Sequence, residues 1–328
     1  MLIINFMYFN KINNFYHGIM LHHFHDNGIH TKGQGSIDKD DFYKMINFIG
    51  RNNILDADIF FEKLKNNKLK ENEVCLTFDD ALKCQIDIAL PVLEELKIKS
   101  FFFVYTSIFE GKPDNLEFFR YFRMNYFNSV DEFYNNFYKV LDKNLTSFFE
   151  SNSDKIKETK IKFPHYSIED IKFRLVRDIF LTKIQYEEKM FLMFKEKQFN
   201  YKNFSKKLFF QKNDLQTLNN LGHSIGLHSH NHPTLLENLN YDEQKNEYKK
   251  CLSTISSILD TTKNKIKCMS HICGSYNNDT LEILKELGIE LGFKQIMTIE
   301  PEKGMKQINN SFLEIARNDH SDILKRMN

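Results

Sequence analysis

The 328-residue chain reads as an α/β domain with parallel strands, interrupted in its middle by a helical segment. Three observations predict this. Apolar β-type runs alternate with helical patterns through the first hundred residues, and the same alternation resumes after residue 212. Between Glu110 and Lys212 it is absent. Strand, helix, strand at short spacing makes a βαβ unit, whose strands run parallel because the helix carries the chain back across the sheet.

Taken in order, Ile19–Phe24 is expected as the first strand. Asp40–Arg51 is expected as a helix with Phe42, Met45, Ile46 and Ile49 on one face. Glu73–Phe78 is an apolar run ending in two acids, Ile86–Leu96 reads as a helix, and Ser100–Tyr105 (SFFFVY) as a buried strand. In the middle segment Phe118, Phe119, Phe122, Tyr126, Phe133, Phe137, Tyr138 and Leu141 recur at helical spacing, which reads as the core of a helical insertion. The basic run Lys195, Lys197, Lys202, Lys206, Lys207 and Lys212 reads as a solvated face. The rhythm then resumes with a helix at Asp214–Asn220, a strand at His223–Leu227, a helix at Asp242–Leu259, a strand at Ile266–Ser270 and a helix at Asp279–Gly288. A last strand is expected at Phe312–Ala316. The division this implies is one α/β domain from 1–109 and 211–328, with 110–210 as an insertion that could serve as a lid.

Charge excludes some function classes. Lys plus Arg number 45 and Asp plus Glu 44, so a surface that holds nucleic acid or anionic membrane by bulk electrostatics is not expected. No stretch approaches the roughly 18 uninterrupted apolar residues of a membrane span. The opening MLIINFMYFNKINNFYHG lacks a basic n-region and its apolar run is broken by Asn and Lys, so no secretory signal is expected. Cys75, Cys84, Cys251, Cys268 and Cys273 form no CxxC pair and are odd in number, which reads as reduced thiols in a cytoplasmic protein.

Two clusters carry chemistry. Thr77-Phe78-Asp79-Asp80 directly follows an apolar strand, and in parallel α/β architectures the C-terminal strand ends carry the active site. Adjacent carboxylates repel there unless something compensates, and a metal ion is a common solution. The second cluster, His228-Ser229-His230-Asn231-His232-Pro233, also follows an apolar strand, and Pro233 places it on a loop by disfavouring α geometry at His232. Imidazoles four apart can share one ion. Asp80, His228 and His232 together would form an O/N/N site for Zn²⁺ that keeps positions open, the design of a catalytic centre.

The segment VCLTFDDALKCQIDIALPVLEELKIKSFFFVYTS resembles the opening motif of the polysaccharide deacetylases, the NodB-homology group of carbohydrate esterase family 4. GHSIGLHSHNHPTL is similar to the family's second motif, H-[ST]-x-x-H, with its preceding Gly-His and following Pro. The resemblance implies a distorted (β/α) barrel with the largely helical insertion added to it. It implies Asp79 as the general base that activates water, and Asp80, His228 and His232 as ligands of one divalent metal, Zn²⁺ first, with Co²⁺ or Ni²⁺ also possible. The family's third motif supplies an oxyanion donor from the backbone at a Pro-Tyr-Gly turn. The matching segment here is Ser270-His271-Ile272-Cys273-Gly274, with Ser270 for the usual Arg, Ile272 for Pro and Cys273 for Tyr, so the backbone N–H of Cys273 is the candidate donor. The usual charge partner of the base is thereby lost, and Arg317 resembles a late Arg motif that could replace it. No C-terminal Leu-x-His motif is found for the general acid. Ile19-Met20-Leu21-His22-His23-Phe24-His25-Asp26 is similar to a first-strand motif of some members, which nominates His22, with His23 behind it.

The activity this implies is metal-dependent hydrolysis of an N-acetyl or similar acyl group on an amino sugar. In a cytoplasmic protein the expected substrate is a nucleotide- or lipid-linked glycan precursor before finished polysaccharide. An O-acetyl esterase or a non-sugar amide hydrolase would use the same constellation. A carbohydrate-binding protein that has lost turnover is the rival from another class.

Overall fold

The computed structural model describes residues 8–9, 15–33, 35–162 and 166–327, and most of the opening segment read above for a secretory signal lies outside them. The chain forms two compact units, Met1–Asp114 with Ser205–Asn328, and Asn115–Phe204.

The first unit holds seven strands: β1 (His17–Leu21), β2 (Val74–Phe78), β3 (Phe101–Val104), β4 (Ser224–Leu227), β5 (Cys268–Ser270), β6 (Leu291–Phe293) and β7 (Arg317–Asp319). They lie side by side in the order β6-β5-β4-β3-β2-β1-β7, each pair parallel. The segment leading into β7 also bonds back to β6: Ile315 N donates to Gly292 O at 2.9 Å and Lys294 N to Ile315 O at 2.9 Å. The sheet thus curls into a nearly closed (β/α) barrel, the distorted barrel expected above.

Side chains alternate along a strand, so every second residue faces the barrel interior. The lower inward positions are apolar: Cys75, Phe101, Phe103, Cys268, Leu291 and Phe293 join Ala57, Phe60 and Leu64 in one buried cluster. Phe60 and Phe101 both pack against Phe293, at ring centroid distances of 6.1 and 5.3 Å. Gly226 belongs to this interior because nothing larger fits; a Cβ there would lie 2.6 Å from the Phe103 ring and 2.7 Å from Cys268 O. Continuing upward by twos, the inward row turns polar, reaching His22, Asp79, His228, Ser270 and Gln295 at the C-terminal ends.

The helices start where local chemistry stops their backbone donors from going unpaired. Asp38 accepts from Asp41 N ahead of Lys39–Ile49, and Asn240 and Asn277 close capping boxes ahead of Tyr241–Ile258 and Asn278–Glu286. Phe42, Met45, Ile46 and Ile49 are the buried face of the first of these, as expected.

Some boundaries differ from the sequence reading. β1 ends at Leu21, which puts His22 on the loop above it. The last strand is Arg317–Asp319, where 312–316 was expected; of that run Ile315 makes an isolated bridge to Phe293. A polar triplet carries no apolar alternation, and its inward residue is polar because it faces the site. The helix Ala57–Lys65, the three-residue β6 and the helix His320–Met327 were not anticipated.

The second unit is helical, with Asn115–Asn125, Val130–Leu141, Ile168–Leu175 and Lys183–Glu196 among its helices. The repeating aromatics form its core: Phe122 lies 4.6 Å from Phe194, and Phe133 and Phe137 lie 5.3 and 5.1 Å from Phe173, ring to ring. All six lysines of the basic run are exposed. Among the described residues no helix is long and apolar enough to cross a membrane. None of the five cysteines is in a disulfide; Cys273 is exposed and the other four are buried.

Candidate active site

The barrel mouth encloses a cavity of about 50 Å³ lined by Met20, His22, Asp79, Asp80, His228, His232, His271, Cys273, Gln295 and Arg317. His22, Asp79, Asp80, His228, His232, Cys273 and Arg317, all singled out from the sequence, are in this lining.

Asp79 continues the inward row of β2, while its neighbour would ordinarily point away. The backbone turns left-handed at Asp80 (φ 73°) and Ala81 (φ 53°), which swings Asp80 back over the mouth. Gln85 fixes the turn by donating from Nε2 to Asp79 O at 2.6 Å and His22 O at 3.0 Å. Of the ten non-glycine residues with positive φ among those described, Asp80, Ala81, Ser229, His232 and Cys273 are in the site loops. Such backbone costs about 1–3 kcal/mol per residue and persists where surrounding contacts over-determine it.

Asp79 is 2% exposed and fully engaged. Arg317 donates to it twice, Nη1 to Oδ1 at 2.8 Å with Nη2 and Oδ2 also 2.8 Å apart, and Ser270 Oγ donates to Oδ2 at 3.1 Å. Arg317 is itself held by Lys294 O, 2.9 Å from Nε, and by Thr77 Oγ1, 3.2 Å from Nη1. Gly18 makes space for its stem, since a Cβ there would stand 3.0 Å from Arg317 Cγ. Burial alone would raise the Asp79 carboxyl, but the Arg317 guanidinium, together with the His228 and His22 imidazoles, outweighs it and holds the group below the ordinary carboxylate range.

Asp80, His228 and His232 each offer one ligand atom, and these atoms lie within 4.8 Å of one another. Asp80 Oδ1 is 3.2 Å from Nε2 of both imidazoles. His228 Nδ1 donates to Ser270 O at 2.9 Å, which leaves Nε2 as the lone-pair nitrogen facing Asp80. The loop between the two histidines is clamped by Glu247, which accepts from His230 N, Asn231 N and Asn231 Nδ2 at 3.0, 2.7 and 2.6 Å. Burial would push Asp80 up and His232 down. The two imidazoles overrule this for Asp80, which sits well below the carboxylate range, and the Asp114 and Asp80 carboxylates raise His232 to about 10.

His22 Nε2 stands 3.8 Å from Asp79 Oδ2 and 3.9 Å from Asp80 Oδ2, with the side chain 24% exposed. His23 stacks on it at 6.4 Å and is not part of the lining. Cys273 sits at φ 50° between Ile272 and Gly274.

The sequence reading missed four contributors. Ser270, considered there as the position of a lost Arg, bonds Asp79 by its hydroxyl and His228 by its carbonyl. His271 and Gln295 line the cavity, and His271, stacked 4.0 Å from Tyr276 with Nε2 2.9 Å from Leu313 O, is driven down to about 3 by burial. Asp114, its side chain 4% exposed, faces His232 Nδ1 from 3.5 Å. Only Ser270 and His271 lie in a recognisable motif; Asp114 and Gln295 are single polar residues in irregular segments.

The sequence matches the Polysaccharide deacetylase family over residues 66–166 and 178–292, about two thirds of the chain and much of the helical unit with it. No curated protein gives a significant match. Three solved structures are similar along nearly their whole length. The Streptococcus pyogenes deacetylase PplD, in complex with acetate, is 16% identical with a TM-score of 0.55, over 95% of this chain and 98% of that one. A de-N-acetylase from Aggregatibacter actinomycetemcomitans is 11% identical with a TM-score of 0.53, over 95% and 99%. IcaB from Ammonifex degensii is 12% identical with a TM-score of 0.51, over 93% and 91%. At such identities the structures speak for the barrel, while the match in sequence speaks for descent: the chain belongs to the polysaccharide deacetylase family.

Proposed function

We propose that the chain is a metal-dependent hydrolase that removes an N-acetyl or similar acyl group from an amino sugar or glycan precursor. The observation that carries this reading is the placing of Asp79, locked by Arg317, beside Asp80, His228 and His232, whose ligand atoms converge within 4.8 Å. Family membership supports a carbohydrate amide as the bond cleaved.

The three donors fit a divalent ion by their chemistry: one carboxylate oxygen and two imidazole nitrogens suit Zn²⁺, with Co²⁺ or Ni²⁺ as alternatives, and three protein ligands leave open positions. When bound, the ion would polarise the acyl carbonyl and acidify water. Asp79 is the base. It is ionised, its geometry is fixed by Arg317 and Ser270, and it takes the proton of the attacking water. His22, 3.8 Å from Asp79 and 3.9 Å from Asp80 and partly exposed, gives a proton to the departing nitrogen. The backbone N–H of Cys273 is the donor to the developing oxyanion, which survives the replacement of the side chain. A cytoplasmic location, and with it a nucleotide- or lipid-linked precursor, belongs to the same proposal and is supported by five free thiols.

The test is acetate release from N-acetylated amino-sugar oligomers by the Zn²⁺-loaded protein and by Asp79→Asn. Release by the wild type alone, with Zn²⁺ retained in the variant, supports the reading. Release from O-acetyl esters but not amides would move it to an esterase.

A further inference from the structure

The two candidate imidazole ligands are held by different partners on their outer nitrogens. His228 Nδ1 bonds a neutral backbone carbonyl, Ser270 O, at 2.9 Å. His232 Nδ1 instead faces a carboxylate, Asp114 Oδ2, at 3.5 Å, with the His232 and Asp114 side chains 11% and 4% exposed. Asp114 lies on the loop beyond β3, outside both motifs that carry the metal site. Tyr105 seats it there: its hydroxyl accepts from Asp114 N at 3.3 Å, and its ring lies against the His232 ring at 5.1 Å. Burying a carboxylate is costly without a partner of opposite or donor character, and the His232 ring supplies one.

We propose that Asp114 is a positioning residue for the metal site, acting through His232. An acceptor-only carboxylate facing Nδ1 favours the proton on that nitrogen, which frees the Nε2 lone pair for the ion when one binds. Carboxylate–histidine pairs of this kind orient the ring and raise the basicity of the ligating nitrogen, and losing one typically costs about 10- to 100-fold in metal affinity. The inference rests on the metal-binding reading of the site.

The experiment is competition for Zn²⁺ with a chromophoric chelator, on the full-length wild type, Asp114→Asn, Asp114→Ala and Tyr105→Phe, with thermal midpoints recorded alongside. An Asn amide can donate to Nδ1 and so hold the proton on Nε2, the wrong nitrogen. The expected result is a fall of about 10- to 100-fold in Zn²⁺ affinity for Asp114→Asn, at least as large as for Asp114→Ala, and a smaller fall for Tyr105→Phe. A role in packing alone gives the opposite order, since Asn matches Asp in shape and Ala does not. Wild-type affinity in Asp114→Asn would overturn the proposal while leaving the metal site standing. Absence of Zn²⁺ binding by the wild type would overturn the metal site itself. Should the Asp114 variants fail to fold, an unchanged affinity in Tyr105→Phe would count against the proposal.

Discussion

Arg317 and Asp79, 238 positions apart in sequence, form a two-point ion pair in the barrel interior, with each at most 2% exposed. The pair joins the strand that closes the barrel to the end of the strand that carries the proposed base. Removing the arginine leaves a buried carboxylate with a serine hydroxyl as its remaining donor in this set. Arg317→Ala is expected to destabilise the protein by about 3–5 kcal/mol and to abolish turnover. Arg317→Lys keeps the charge but cannot span both oxygens, and its loss is expected to be smaller in stability than in kcat. Urea unfolding and acetate-release kinetics on the two variants check this.

His17 gives a pH signature away from the site. It is fully buried in β1, its Nδ1 2.7 Å from Phe15 O and its Nε2 2.8 Å from the Tyr8 hydroxyl, and burial lowers it to about 4. A histidine held neutral in the fold binds a proton more readily once unfolded. Its contribution is therefore intact above pH 6.5 and is lost as pH falls from 6.5 toward 4, by on the order of 3 kcal/mol. The unfolding free energy of His17→Gln, measured from pH 7.5 to 4.5, is expected to fall less steeply than that of the wild type. Parallel curves would contradict it. Asp79 has the depressed pKa of a paired carboxylate, so its contribution is lost only at lower pH.

The oxyanion donor proposed at Cys273 is a backbone group, which separates two substitutions at one position. Cys273→Ala keeps the N–H and is expected to stay within a few-fold of wild-type kcat. Cys273→Pro removes it and imposes a negative φ where the chain has 50°, so a loss of at least about 10²–10³ in kcat is expected. Equal loss in both would assign the role to the thiol.

His22→Ala is expected to lower kcat by about 10²–10⁴ while leaving Zn²⁺ content unchanged, as for a proton donor that is not a ligand. Loss of the ion in this variant would instead make His22 part of the metal site.

Gly226→Ala tests the barrel interior. Its Cβ would meet backbone as well as the Phe103 ring, both closer than 3 Å, so a loss of about 1–3 kcal/mol is expected in thermal or urea unfolding.

Asp79, Asp80, His228 and His232 were legible because each pair is consecutive or nearly so at the end of an apolar strand, where period and position coincide. Arg317 was legible only through a family likeness, since the polar triplet Arg317–Asp319 carries no strand signal. Asp114 and Gln295 left no trace, because a single polar residue in an irregular segment looks like solvent-facing loop until the fold brings it home. The strands were partly legible too: five followed from apolar runs, while β6 (Leu-Gly-Phe) has a glycine at its centre and β7 is a polar triplet.

The most direct test is metal content per chain by elemental analysis, comparing the wild type with His228→Ala after equilibration with Zn²⁺ at neutral pH. The account predicts about one ion per wild-type chain, in line with a single O/N/N site, and loss of that ion in the variant. A wild type that binds none, or a variant that binds as much, would contradict it.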